Sequence, residues 1–131
     1  MSKILEENKF NDKSDRPPYK CKCCGMGDIE QEFDICKICG WEDDRVQNNE
    51  SNFVGGANEM SLNQYKKFWY DCKSEILKNL KSNRFYAIEK SQEYYDKNFK
   101  QQNEKYHRKI NPHYDEDQKK FAENRLKNKM R

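Results

Sequence analysis

The clearest apolar pattern in the chain lies between Ser61 and Lys81, where Leu62, Tyr65, Phe68, Trp69, Cys72, Ile76, Leu77 and Leu80 recur at intervals of three and four. That spacing gathers them on one side of a helix, and Ser61 followed three positions later by Gln64 has the form of a capping box. After a break at Ser82-Asn83, a second helix is predicted from Arg84 to Arg108. Its stripe is Phe85, Ile88, Tyr95, Phe99 and Tyr106, with Gln92 and Gln102 filling the gaps. Asn111-Pro112 ends that segment, and Asp115-Glu116-Asp117-Gln118 offers an acidic start for a short basic helix running toward Lys129, anchored by Phe121 and Leu126. Upstream the period changes. Ile29, Phe33 and Ile35 lie among acids and predict a short β-hairpin, with Gly25 and Gly27 supplying its turn. Residues 1–18 mix charges with Asn and close on Arg16-Pro17-Pro18, the pattern of a flexible arm. A short helix over Ile4 to Phe10 is the alternative there, and Tyr19 leads directly into the first group of cysteines.

Composition raises a problem that this pattern alone does not solve. Only 34% of the residues are hydrophobic against 37% charged, and the mean hydropathy is −1.40, so little apolar area is available to offset the entropy lost on folding. The cysteines supply a remedy. The unit CxxCG occurs twice, at Cys21 to Gly25 and Cys36 to Gly40, and each copy can bring two sulfurs to one side of a tight turn that the glycine closes in the left-handed conformation. Two such knuckles provide Cys21, Cys24, Cys36 and Cys39 as four thiolates, the set that a closed structural Zn²⁺ site requires. The eleven residues between Cys24 and Cys36 suit a compact ribbon. One structural Zn²⁺ is therefore expected, with a contribution to folding on the order of 10–16 kcal/mol. The competing disulfide framework needs an oxidising compartment. The first seven residues hold no apolar run long enough for a signal peptide and nothing downstream could span a bilayer; the expectation is a cytoplasmic protein with no membrane partner.

The fold class that emerges is α+β: a small four-cysteine zinc ribbon with a short β-hairpin, followed by two or three α-helices. The chain divides into an arm over 1–18, a ribbon module over 19–60 and a basic, aromatic helical region over 61–131. Cys23 sits inside the first knuckle as an alternative ligand, a reactive thiol or a bystander, the last being favoured. Cys72 reads as a small buried hydrophobe, and His107 and His113 as exposed. Trp41, directly after the second knuckle, can cover the metal site. Glu42-Asp43-Asp44 invites a Mg²⁺ or acid/base reading. Consecutive side chains diverge, however, and no partner carboxylate or histidine has a matching spacing, so surface or helix-start charge is preferred. Gly55-Gly56-Ala57-Asn58 could cradle an anion ahead of the helix, but reads better as a tight turn docked on the ribbon. No catalytic constellation stands out, and no enzymatic activity is expected.

The order and spacing of Tyr19-Lys20-Cys21-Lys22-Cys23-Cys24-Gly25, Asp34-Ile35-Cys36, Cys39, Trp41-Glu42-Asp43-Asp44, Gln47, Gly55-Gly56-Ala57-Asn58 and Ser61-Leu62-Asn63 resemble the cysteine-rich CPCC family of small, mostly bacterial proteins. The likeness covers about residues 19–70. It implies a zinc-ribbon-like module and carries no particular activity. Lys22 and Lys37 stand where the family pattern commonly has proline.

Charge is unevenly placed. Residues 61–131 carry 18 Lys and Arg against 10 acids, whereas residues 21–60 carry 3 against 9. An acidic metal module joined to a basic, aromatic tail points to a protein-interaction module of the adaptor, immunity or inhibitor type. Its helical tail would engage a protein partner, with Trp69, Phe85, Tyr95 and Phe99 as candidate contacts. For the stripe of the second helix itself, an ordinary intramolecular hairpin face is the preferred reading, and a face awaiting a partner the alternative. Lysines interleaved with aromatic residues also fit a nucleic-acid-binding regulator acting through 61–131.

Overall fold

A computed structural model of the chain describes residues 16–129, with side chains through Asn124. The expected arm over 1–18 therefore lies almost wholly, and the helix over Ile4 to Phe10 wholly, outside the described residues, and the side chain of the Leu126 anchor is likewise outside what is described. Two strands, β1 (Tyr19–Lys20) and β2 (Asp28–Ile29), pair antiparallel with Tyr19 opposite Ile29. Five helices follow among the described residues: α1 (Arg45–Asn49), α2 (Leu62–Asn79), α3 (Tyr86–Asn98), α4 (Lys100–Ile110) and α5 (Tyr114–Lys129). The class is α+β, with a cysteine ribbon at the N-terminal end.

The pairing differs from the sequence expectation in one respect. Instead of a hairpin between the knuckles over Ile29 to Ile35, each knuckle is the tip of its own small hairpin. β1 and β2 bracket the first, and an isolated bridge from Ile35 to Glu42 brackets the second. The backbone explains why. Cys21 N donates to Gly27 O at 2.8 Å and Gly25 N to Cys21 O at 2.9 Å, and the second knuckle repeats the arrangement with Cys36 N to Trp41 O at 2.9 Å and Gly40 N to Cys36 O at 3.0 Å. Each CxxCG closes its own turn, so the strands extend outward from it. Gly25 and Gly40 have φ of 72° and 87°, the left-handed conformation that glycine adopts without a side-chain penalty.

α2 begins as expected. The Ser61 hydroxyl accepts from Gln64 N, and the Gln64 side chain accepts from Ser61 N, both at 3.1 Å. Leu62, Tyr65, Phe68, Trp69 and Ile76 are buried, Cys72 is half-buried, and Leu77 turns outward. One continuous core joins these residues to Cys21, Ile29, Cys36, Cys39 and Trp41 on one side and to Ala87 and Tyr95 on the other. An aromatic ladder runs through it from Trp41 to Tyr65, Phe68, Tyr94 and Phe99, with successive ring centroids 5.2 to 6.0 Å apart.

The predicted helix from Arg84 to Arg108 is two helices, α3 and α4, divided at Phe99, where φ is −127° and ψ −20°. The face that packs also shifts. Ala87, Ser91 and Tyr95 are buried, whereas Phe85, Ile88 and Tyr106 are substantially exposed, as are Gln92 and Gln102. After the bend, Asn103 is buried and reaches the start of α2. Its amide exchanges two hydrogen bonds with the Gln64 amide, both at 2.9 Å, and Nδ2 also donates to Glu59 O at 3.2 Å. The bend at Phe99 aims α4 at the capping box while α3 stays on the core.

Candidate metal centre

The geometry of the site follows from the two knuckles. The Sγ atoms of Cys21, Cys24, Cys36 and Cys39 all lie within 4.8 Å of one another, and Cys21 to Cys39 and Cys24 to Cys36 are each 3.6 Å apart. Tetrahedral metal–sulfur bonds of about 2.3 Å place neighbouring sulfurs about 3.8 Å apart, so the cluster has the dimensions of a four-thiolate metal site. Each sulfur also accepts a backbone N–H at 3.4 Å: Cys21 from Cys23, Cys24 from Met26, Cys36 from Ile38, and Cys39 from Trp41. Those donors stabilise negative charge on sulfur before any cation contributes. Gly27 is part of the same construction: a Cβ on it would run into Cys36 Sγ. With four protein ligands on a tetrahedron no coordination position is left open, which is the form of a structural site.

The thiols titrate as a set. Cys24 and Cys36 are held below the ordinary thiol range, Cys36 at about 6, chiefly because Cys21 hydrogen-bonds to each. Cys21 is pushed up by its hydrogen bond to Cys24, and Cys39 by its bond to Cys21, with burial adding to both. Because Cys21 and Cys39 are held toward the thiol form, binding a divalent metal at pH 7 should release protons. Protons and metal compete, so the affinity should be high above neutrality and fall with acidification as Cys36 protonates through about 6. Calorimetric titrations in buffers of different ionisation enthalpy measure the number of protons directly, and release of none would contradict this picture.

Around the centre, Trp41 is fully buried in the same core as Cys21, Cys36 and Cys39. Its indole packs edge-on against Tyr65 at 5.3 Å, while Nε1 donates to Asn48 Oδ1 at 3.0 Å. The Tyr65 hydroxyl donates to Cys39 O at 2.7 Å, tying α2 to the second knuckle, and burial raises its pKa well above the usual phenol range.

In the acidic run Asp43 and Asp44 are buried instead of solvated, and the helix-start reading holds for Asp44. Asp43 is fully buried and accepts from Tyr19 Oη at 2.8 and 3.0 Å and from Asn48 Nδ2 at 2.9 Å. Asp44 caps α1, accepting from Val46 N and Gln47 N, and its other oxygen holds Ala57 N at 2.9 Å. Gln47, fully buried, donates through Nε2 to Phe53 O, Asn58 O and Met60 O at 3.1 to 3.2 Å, and its Oε1 accepts from Asn58 N and Nδ2 at 3.0 Å. Asn58 in turn bonds both ways with the Glu42 backbone. This network docks the Gly55–Asn58 loop on the ribbon, the arrangement preferred over an anion cradle. The roles of Asp43, Gln47 and Asn58 are missed by periodicity and motif spacing. The signal that contained them was the resemblance, whose residues include all three.

Of the other residues singled out in the sequence, Cys23 is half-buried and lies outside the group of four. Trp69 and Tyr95 are core residues, Phe99 is half-buried at the end of the aromatic ladder, and Phe85 is 49% exposed with the Arg84 guanidinium 4.7 Å above its ring. The four do not form one contact face. His107, expected to be exposed, is half-buried and stacks on Tyr114 at 5.1 Å, and its burial lowers its pKa. His113 is exposed.

Fold and site together define a ribbon-and-helix module built around a four-cysteine cluster able to hold a metal ion. The model of the cysteine-rich CPCC family matches residues 19–84, just over half of the chain, and the protein belongs to that family. The match runs past the ribbon to the end of α2, consistent with the Tyr65 bond that makes the helix part of the second knuckle. No curated protein matches the chain. No helix among the described residues is long and apolar enough to cross a membrane.

Proposed function

We propose that this protein is a zinc-stapled, non-enzymatic interaction module of the cytoplasm that binds a protein segment in the groove between its ribbon and its helices. The observation that carries the reading is that groove, an open depression of about 1260 Å³ between the ribbon, the loop before α2 and helices α3, α4 and α5. It is larger than the cavities that enclose small ligands. Ile35, Ile88 and Phe121 line it and are 39–58% exposed. Glu42, Glu59, Glu89 and Glu104 outnumber its Lys100. A lining of exposed apolar side chains among carboxylates suits a peptide carrying apolar anchors and positive charge. Of the candidate contacts only Tyr95 borders this groove, whereas Trp69 is taken up by the core.

Four soft thiolates in tetrahedral array favour Zn²⁺, with iron the other metal of such sites, and six free cysteines suit a reducing compartment. A non-enzymatic role is supported by the buried polar side chains beside the ribbon, since Asp43, Asp44, Gln47 and Asn58 already satisfy one another. Metal analysis of purified protein should find about one zinc per chain. A photo-crosslinking residue placed at position 121 should then trap a protein in cells that Ile35→Lys prevents from binding, whereas the same probe at position 70 should not trap it. Equal trapping from both positions, or trapping indifferent to Ile35→Lys, would rule out the groove as the binding surface.

A further inference from the structure

The outer face of α2 is a second and different surface. The residues opposite its buried stripe are Lys66, Lys67, Tyr70, Lys73, Leu77 and Lys78, with Lys81 just beyond the helix end, and all are exposed. One acid, Asp71, borders this face, where it pairs with Lys67 at 3.4 Å. The two acids of α2, Asp71 and Glu75, lie on the flank toward α3 and are engaged there. Asp71 accepts from Tyr94 Oη at 2.5 Å and pairs with Lys67 at 3.4 Å, and Glu75 pairs with Lys90 at 3.4 Å. Among the described residues Lys66, Lys73, Lys78 and Lys81 make no ion pair. Tyr70 stands between Lys66 and Lys73, one turn from the first and just under one turn from the second. It is 76% exposed, more than any other large hydrophobic side chain among the described residues.

Cations spaced over about 18 Å of helix, from Lys66 to Lys78, around an uncovered aromatic ring combine the two groups that hold a single strand: ammonium for phosphate and a π-face for a base. We propose that this face binds single-stranded nucleic acid, with Lys66, Lys73, Lys78 and Lys81 on the backbone and Tyr70 stacked on a base. Charge complementarity selects the occupant. The face carries a net positive charge, Asp71 offsetting only Lys67, whereas the groove, lined by other residues, is acidic and would repel the same ligand. Binding here needs no protein in the groove.

The test uses the full, metal-loaded chain and fluorescent oligothymidylate and oligouridylate of about 15 nucleotides, a length within the site sizes of single-strand binders, followed by anisotropy. Four phosphate contacts predict a slope of log affinity against log salt near −2.8, which is roughly a 50-fold loss between about 50 and about 200 mM salt. Replacing the four unpaired lysines with Gln should flatten that slope and weaken binding at low salt by about tenfold or more. Tyr70→Ala should weaken it by about tenfold with the slope unchanged. Both variants alter exposed side chains and should keep the parent's helical circular dichroism and metal content. The proposal is overturned if the oligonucleotides do not bind at low salt, or if either variant binds as the parent does. It is overturned equally if a duplex of the same length binds as tightly as the single strand, or if anionic phosphatidylserine vesicles bind and the oligonucleotides do not.

Discussion

Cys36→Ser is expected to abolish cooperative thermal unfolding of the ribbon and of α2 with it. A four-thiolate metal contributes on the order of 10–16 kcal/mol to small modules of this kind, against a net stability of about 5–15 kcal/mol for a typical domain. Removing one ligand therefore takes away about as much as the whole fold retains. The loss should not stop at the ribbon. The buried cluster that contains Cys36 and Trp41 also contains Tyr65, Phe68 and Tyr95, and Tyr65 hydrogen-bonds the second knuckle directly. Cys23→Ser, outside the group of four, should leave metal stoichiometry and melting unchanged. Melting curves of the parent and both variants, with and without chelator, are the measurement. A Cys36→Ser protein that melts like the parent would mean that metal does not set this fold.

Gln47→Glu should lower stability by about 4 kcal/mol while sparing the metal site. The substitution keeps the shape of the side chain but replaces an NH₂ group with oxygen, opposite the carbonyls of Phe53, Asn58 and Met60. Either the site holds a buried carboxylate facing three carbonyl oxygens, or the carboxyl is protonated and satisfies one of them. In the second case two buried acceptors are orphaned at about 1–3 kcal/mol each. A shifted urea midpoint with an unchanged slope is the expected record, with metal content as in the parent. A change below about 1 kcal/mol would show that the loop is held by its apolar neighbours, Val54 and Met60, and not by the amide.

The four-cysteine cluster was legible in the sequence because each knuckle is a local object: a pair of ligands and the glycine that closes the turn lie within five consecutive residues, and the geometry of one turn decides where the sulfurs go. The capping box at Ser61 and Gln64 and the stripe of α2 were legible for the same reason, since helix period and cap chemistry act over three or four residues. The resemblance to the cysteine-rich CPCC family rested on such local units and was confirmed over a longer span, through Arg84.

The remaining features were settled by partners far along the chain. Whether Asp43 is solvated or buried depends on Tyr19, 24 residues away, and whether Asn103 faces water or the core depends on Gln64, 39 residues away. The apolar stripe of the second helical segment was read from large side chains, but the core left room for Ala87 and Ser91 and sent Phe85 and Ile88 toward the surface, because α3 packs closely on a ribbon and a helix already filled by Trp41, Tyr65 and Phe68. Sequence by itself determined the four-cysteine cluster, the α+β class and the start of α2, all properties of short stretches. Tertiary structure alone decided the bend at Phe99, the burial of the acidic run and the opening of the groove, because each depends on which distant surface is present to accept a hydrogen bond or exclude water.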